Sequence, residues 1–219
     1  DVVDGAQIVL GLNTAAHIMG AQIAAAGMNI AKRVDGAQIG LINIGTSVSQ
    51  MQLGLINVAG RSKAPIGLLN LVKDGIHHLE AWGSEAGAHG GFKLGGESLY
   101  SIVAAAMQPT SNDERRWMVG MGFGGRVRVS ERLYFDIDAI HYKVNDGGWS
   151  KGVNSLERVR FMVGYRLARH FAIFGGVALN VRITDVDKGD DFGLIPGSVL
   201  HEGGTTVRMG PGLLLGVSI

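Results

Sequence analysis

From residue 75 onward, apolar and polar positions alternate along segments longer than an ordinary strand, and few architectures accept that pattern. The clearest case is Arg132 to Tyr142. Leu133, Phe135, Ile137 and Ala139 share one face, and Arg132, Tyr134, Asp136 and Asp138 share the other. Residues 158–167 set Val159, Phe161, Val163, Tyr165 and Leu167 against Arg158, Arg160 and Arg166. Residues 117–129 set Val119, Met121, Phe123, Val127 and Val129 against Arg126 and Arg128. A period of two is the signature of a strand with unlike faces. Eight such segments are predicted, near 75–83, 88–95, 97–108, 115–129, 131–144, 157–167, 170–184 and 205–219. An ordinary strand has about five or six residues, whereas a tilted membrane-crossing strand needs about 9 to 11.

The connections point the same way. Gly95-Gly96, Val129-Ser130-Glu131 and Leu167 to His170 read as tight turns, while 108–115, 144–157 and 184–205 are long and polar. Outer-membrane barrels alternate short turns with long loops in this manner. Closure also removes the strand edges that lipid cannot hydrate. The expected fold class is all-β: an eight-stranded antiparallel transmembrane β-barrel over residues 75–219, preceded by an apolar repeat region over 1–74. Its lumen is expected to hold Arg126, Arg128, Arg158, Arg160, Arg166, Arg182 and Arg208 with Asp136 and Asp138, and Glu80 as a further candidate. Eight strands enclose just enough space for side chains. The charges therefore predict an internal plug of ion pairs, with a selective narrow pore as the alternative.

The first third of the chain repeats. Gly5-Ala6-Gln7-Ile8, Gly20-Ala21-Gln22-Ile23 and Gly36-Ala37-Gln38-Ile39 are one tetrapeptide, and Gln50-Met51-Gln52-Leu53 is a degenerate copy. A glycine then precedes Asn13, Asn29, Asn43, Asn57 and Asn70 by two or three positions. A repeat this regular must be read before local propensity. Stacked coils of two short strands would align the asparagines as an internal ladder. Short hairpins and a small-residue helical packing over Ala15–Ala31 remain open alternatives. Residues 5–31 and 36–60 contain no Asp, Glu, Lys or Arg, and charges gather at Lys32 to Asp35 and Arg61 to Lys63. A free-standing solenoid needs a polar outside, so this segment is expected to cover both faces with lipid, a barrel wall or identical subunits.

Composition narrows the function classes. A net charge of +1 gives no broad basic surface for nucleic acid. With no cysteine there is neither a disulfide nor a thiolate metal site. The chain starts at Asp1 without a basic and apolar leader, so an exported form is expected to have lost its signal peptide. Gly120 to Gly125 matches the dinucleotide fingerprint literally, but an alternating strand and not a helix follows it. His77 and His78 are adjacent and point to opposite faces of a strand. His89 with Ser84 and Glu85, and His141 with Ser150 or Ser155, are the sets an outer-membrane lipid-modifying enzyme would need; no spacing singles them out. Trp82, Tyr100, Trp117, Tyr142, Trp149 and Tyr165 fall near strand ends and are expected to form interface girdles.

The GAQIGLINI and MQLGLINVAG units, followed by RVRVSERLYFDIDA, resemble a bacterial surface-repeat family of outer-membrane proteins. That resemblance implies location and architecture more than activity. The chain departs from common barrels at Gly216-Val217-Ser218-Ile219, where an aromatic final residue is the usual assembly signal. A weaker resemblance is to porin-like outer-membrane proteins of predatory bacteria, which join small barrels into rings around trapped lipid. Together these imply a non-enzymatic protein of the bacterial outer membrane with a structural or membrane-organising role. It is expected to use no cofactor and no catalytic or metal site, to contact outer-membrane lipid, and to self-associate as a homo-oligomer through residues 1–74. A narrow porin-like channel and a lipid-modifying enzyme are the alternatives.

Overall fold

The structure, a computed structural model, describes residues 1–108, 115–185 and 197–219. Among them every regular element is a strand, so no helix is long and apolar enough to cross a membrane. The chain divides into two compact units, Asp1–His77 with Lys93–Ser101, and His78–Phe92 with Ile102–Ile219. The expected boundary at residue 74 misses the contribution of 93–101, which lies beyond any repeat signal.

Small residues at repeat spacing let the first unit coil on itself. Its strands are β1 (Val2–Val9), β2 (Leu12–Leu53), β3 (Ile56–Ile66) and β4 (Leu69–Val72), paired in that order and all parallel. Val2 pairs with His17, Ile42 with Ile56 and Ile56 with Leu69, so each copy of the repeat stacks on the next. β2 is not straight: a Cβ on Gly36 would overlap the carbonyl oxygen of Gly20, and one on Gly54 that of Gly40. The result is a parallel β-solenoid, and parallel pairing excludes hairpins, which must be antiparallel. Gly5, Gly20 and Gly36 have φ of 108°, 133° and 154°. Side chains rarely adopt that conformation, which is why the tetrapeptide begins with glycine. Inside the coil, Ile18, Ala31, Val34 and Val48 form a buried apolar cluster.

The second unit carries the period-two segments. The strands are β5 (Ile76–Ser84), β6 (Gly87–Gly95), β7 (Leu99–Gln108), β8 (Arg116–Arg128), β9 (Leu133–Asp146), β10 (Asn154–Ala168), β11 (Phe171–Thr184), β12 (Ser198–Glu202) and β13 (Thr205–Ser218). Eight of the nine correspond to predicted segments, with ends shifted by a few residues. β12 falls in the expected loop 184–205. It pairs with β13 around Gly203 and Gly204, whose φ of 57° and 85° suit a two-residue hairpin turn. The rest of that loop and most of 108–115 lie outside the described residues.

Neighbour order in this antiparallel sheet is β11-β10-β9-β8-β7-β6-β5-β13-β12, and β13 also pairs with β11 from Thr184↔Thr206 to Ala172↔Ser218. Leaving β12 aside, the order of eight strands returns to its start. Register then decides which side chains meet. Arg126 is opposite Asp136, and Arg160 is opposite Asp138. Tyr134 is opposite Gly164, and Tyr142 is opposite Gly120. A Cβ on either glycine would run into the tyrosine ring across from it. Gly120 of the false dinucleotide motif therefore makes room for a buried aromatic ring, as Gly164 does, while Gly122 lets the backbone at Ala139 approach closely.

Candidate functional site

Three arrangements stand out: a pair of amide ladders in the solenoid, a charge network on the buried face of the antiparallel sheet, and an apolar belt on its exposed face.

Asn13, Asn29, Asn43, Asn57 and Asn70 are fully buried and stacked. Each Nδ2 donates to the next Oδ1, at 2.9, 2.8, 2.9 and 2.7 Å. The second hydrogen of Asn29 reaches Ile39 O at 2.8 Å, and that of Asn43 reaches Leu53 O at 2.9 Å. Asn70 also donates to Ser101 Oγ at 3.3 Å. A second ladder escaped sequence reasoning. Gln22 Nε2 donates to Gln7 Oε1 at 3.0 Å, Gln38 to Gln22 at 2.9 Å and Gln52 to Gln38 at 3.0 Å. Its signal was present, since glutamine is the third residue of every tetrapeptide. The two ladders have opposite polarity: asparagine donates forward along the chain and glutamine donates back. Outside the coil, Leu41, Leu55 and Leu68 are exposed. The charged stretch Lys32 to Asp35 is tied by His17 Nε2 at 2.8 Å from Asp35 Oδ2 and by Arg33 Nε at 3.0 Å from the same oxygen. Hydrogen bonds from His17, then Arg33, hold the Asp35 carboxyl below its ordinary 3.8.

On the buried face of the antiparallel sheet, Arg126 grips Asp136 with two bonds of 2.7 and 2.8 Å and lies 3.9 Å over the Tyr134 ring. Arg160 bonds Asp138, sits 3.7 Å from Glu80 and stacks 4.3 Å over Trp82. Arg158 donates to Glu85 at 2.7 Å and to Ser84 at 2.9 Å. Arg182 reaches Asn154, and Arg116 reaches Asp146 at 2.6 Å. Buried charges persist only when paired, and Arg116, Arg126, Arg158 and Arg160 each reach a carboxylate. Arg116 and Glu85 were absent from the expected network because burial depends on which strands meet.

Two expected members lie elsewhere. Arg128 is exposed because it ends β8 beside a turn, and Arg166 is half-buried at an irregularity near the end of β10, donating to Glu131 O. Arg208 is half-buried, opposite Arg182 in the register. The aromatic set divides as well. Trp117 and Trp149 meet edge to face at 4.8 Å near a strand end, and Tyr165 is exposed. Trp82, Tyr100 and Tyr142 are buried, which corrects their assignment to an interface girdle. Their positions share the parity of Glu80, Ile102 and Ile140, which also face inward.

Of the sets weighed for catalysis, Ser84 Oγ and His89 Nε2 do meet, at 2.9 Å, with His89 stacked on Trp82. Glu85 turns instead to Arg158, Asn180 and the Leu213 amide. The serine oxygen accepts from Arg158 and from the Ala86 amide, an arrangement that ties the β5–β6 turn to the network. His141 pairs with Glu157 at 2.6 Å, not with a serine. Among the described residues no three His, Asp or Glu side chains gather as a metal site.

The exposed face is mostly apolar, with the His141–Glu157 pair also on it. Phe92, Val103, Met121, Phe123, Phe135, Ile137, Phe161, Val163, Val177 and Leu215 all lie on it. Gly90, Gly91 and Gly120 leave a depression bordered by Leu79, Phe92, Val103 and Met121. Compared with known proteins, the chain matches no family model, no curated protein and no solved structure.

Proposed function

We propose that the antiparallel sheet closes as an eight-stranded barrel spanning the bacterial outer membrane, and that the solenoid organises the membrane by self-association, lipid contact or both. One observation carries this reading: strands of 13 to 15 residues bury paired charges on one face and expose long runs of apolar side chains on the other. In water that belt is unfavourable, since soluble monomers rarely expose apolar patches beyond a few hundred Å². In lipid it is the required surface. The buried network supports a plugged anchor in preference to a conduit, because Arg126, Arg158 and Arg160 with their carboxylates fill the space a pore would need. The solenoid supports association for the same reason as the belt: its outer leucines are exposed among the described residues.

Planar-bilayer recording of the purified protein tests the anchor reading. Quiet bilayers are expected, and steady open steps would replace it by the narrow channel. Mass and lipid content of the detergent-extracted protein test the association, with a lipid-free monomer as the outcome that removes it. Recovery in the outer-membrane fraction tests the location.

A further inference from the structure

The depression on the exposed face of the antiparallel sheet has a volume of about 720 Å³, within the range of about 300–1,000 Å³ that holds a small ligand. It crosses neighbouring strands, from Lys143 on β9 through β8 and β7 to Gly90 on β6 and Leu79 on β5. Residue size sets its form. Gly90 and Ala105 are small outward positions among Phe92, Val103, Val119 and Met121. A Cβ on Gly90 would meet no atom nearer than Glu80 O at 3.9 Å, so the space there is open. Polar side chains border one end only, where His141 and Lys143 approach the β9–β10 connection. His141 is held by Glu157 on β10, the neighbour of β9 away from the groove. Lys143 Nζ donates to Gly152 O at 2.6 Å, which uses one of its three protons.

These features select an occupant. The floor is the face of a sheet whose backbone groups are engaged between neighbouring strands. An extended peptide laid on it would leave its own N–H and C=O groups unpaired. A hydrocarbon chain has no such groups. In a bilayer the lining would lose its dispersion contacts if it faced a void, so a chain fills it. The ammonium protons left at the polar end suit an anionic head. We propose that the groove holds one anionic phospholipid, with an acyl chain over Gly90 between Phe92 and Met121 and the phosphate on Lys143. This rests on the membrane-spanning reading above and adds a specific site to it.

Native mass spectrometry of the full chain in non-ionic detergent, titrated with phosphatidylglycerol or phosphatidylcholine, counts the lipid that stays bound. One phosphatidylglycerol is expected, held about fivefold more tightly than phosphatidylcholine. Gly90→Leu and Ala105→Phe fill the groove and should each weaken both lipids about tenfold. Val177→Leu, on β11 outside the groove, should change neither. Lys143→Gln should abolish the preference and leave phosphatidylcholine binding as it was. Equal retention by Gly90→Leu, Ala105→Phe and Val177→Leu would overturn the groove, and a preference that survives Lys143→Gln would overturn the head assignment. Retention of neither lipid by the native chain, the result if a second copy or another protein covers the groove, would overturn the site altogether. Insertion into vesicles of the same two lipids, read by protease protection, separates this from the membrane reading. A chain that inserts but holds no lipid loses only the site; a chain that does not insert loses both.

Discussion

Replacing Asn43 by leucine removes the middle of the asparagine ladder while keeping a side chain of similar size. Asn43 accepts from Asn29 at 2.8 Å and donates to Asn57 and to Leu53 O, each at 2.9 Å. The substitution leaves a donor on Asn29 and acceptors on Asn57 and Leu53 short of a partner. At about 1–2 kcal/mol for each of the three groups, the lower part of the range for a buried group left unmade, the loss is roughly 3–6 kcal/mol. Added apolar burial returns about 1 kcal/mol, so the net cost is about 3 kcal/mol. Asn13→Leu supplies the internal control. It breaks the bonds to Asn29 and to Ile23 O but also deletes a buried oxygen that has no partner. Its net cost is about 1 kcal/mol on the same basis. In a solenoid each coil contacts only its neighbours, so both losses are read locally. Hydrogen exchange with mass detection on the full chain in detergent measures the opening of residues 38–58 and 13–29. Opening near Asn43 is expected to rise about thirtyfold more than opening near Asn13, the equivalent of about 2 kcal/mol. Equal effects within threefold would refute the ladder as a source of stability and assign it to packing alone.

Three other outcomes follow from the same structure. Arg126→Met should destabilise the sheet by about 3 kcal/mol, because it removes a two-bond charged partner of the buried Asp136 carboxylate, whereas Arg128→Met at an exposed strand end should change little; urea titrations of both variants in detergent compare them. Phe161→Arg places a cation in the middle of the exposed belt and should cost about 2–4 kcal/mol of folding into lipid vesicles; unimpaired insertion would argue against the membrane reading. The Asp35 carboxyl is held below 3.8 by His17 and Arg33, so its contribution is present above about pH 4 and lost as pH falls through its depressed value. Limited proteolysis at Lys32–Asp35 should therefore accelerate on acidification below pH 4 in the native chain and not in Asp35→Asn.

Much of this was legible in the chain because the information is periodic. Alternation of Phe161 and Val163 with Arg158 and Arg160 depends only on the two-residue repeat of a strand, and it located eight long strands. Spacing of the Asn and GAQI units depends only on stacking one coil on the next, and it anticipated an aligned column. What failed was assignment by position. Trp82 and Tyr142 lie near strand ends, but face, not nearness to an end, decides burial. Arg128 follows the right parity yet ends its strand, where the turn releases it to solvent. The glutamine ladder was overlooked although its residues are as periodic as the asparagines.

The sequence by itself determined the long alternating strands with their apolar and charged faces, and offered the columns of the repeat as one of three readings, since each follows from backbone geometry acting over a few residues. Tertiary structure decided which residues meet. Antiparallel register sets Arg126 opposite Asp136 and Arg160 opposite Asp138, and a shift of one position would send every side chain to the other face. Parallel stacking likewise fixed the polarity of the two amide ladders. A hydrogen bond between Asn13 and Asn29 has a direction only when both side chains are held against particular backbone carbonyls, and those carbonyls arrive from another turn of the coil.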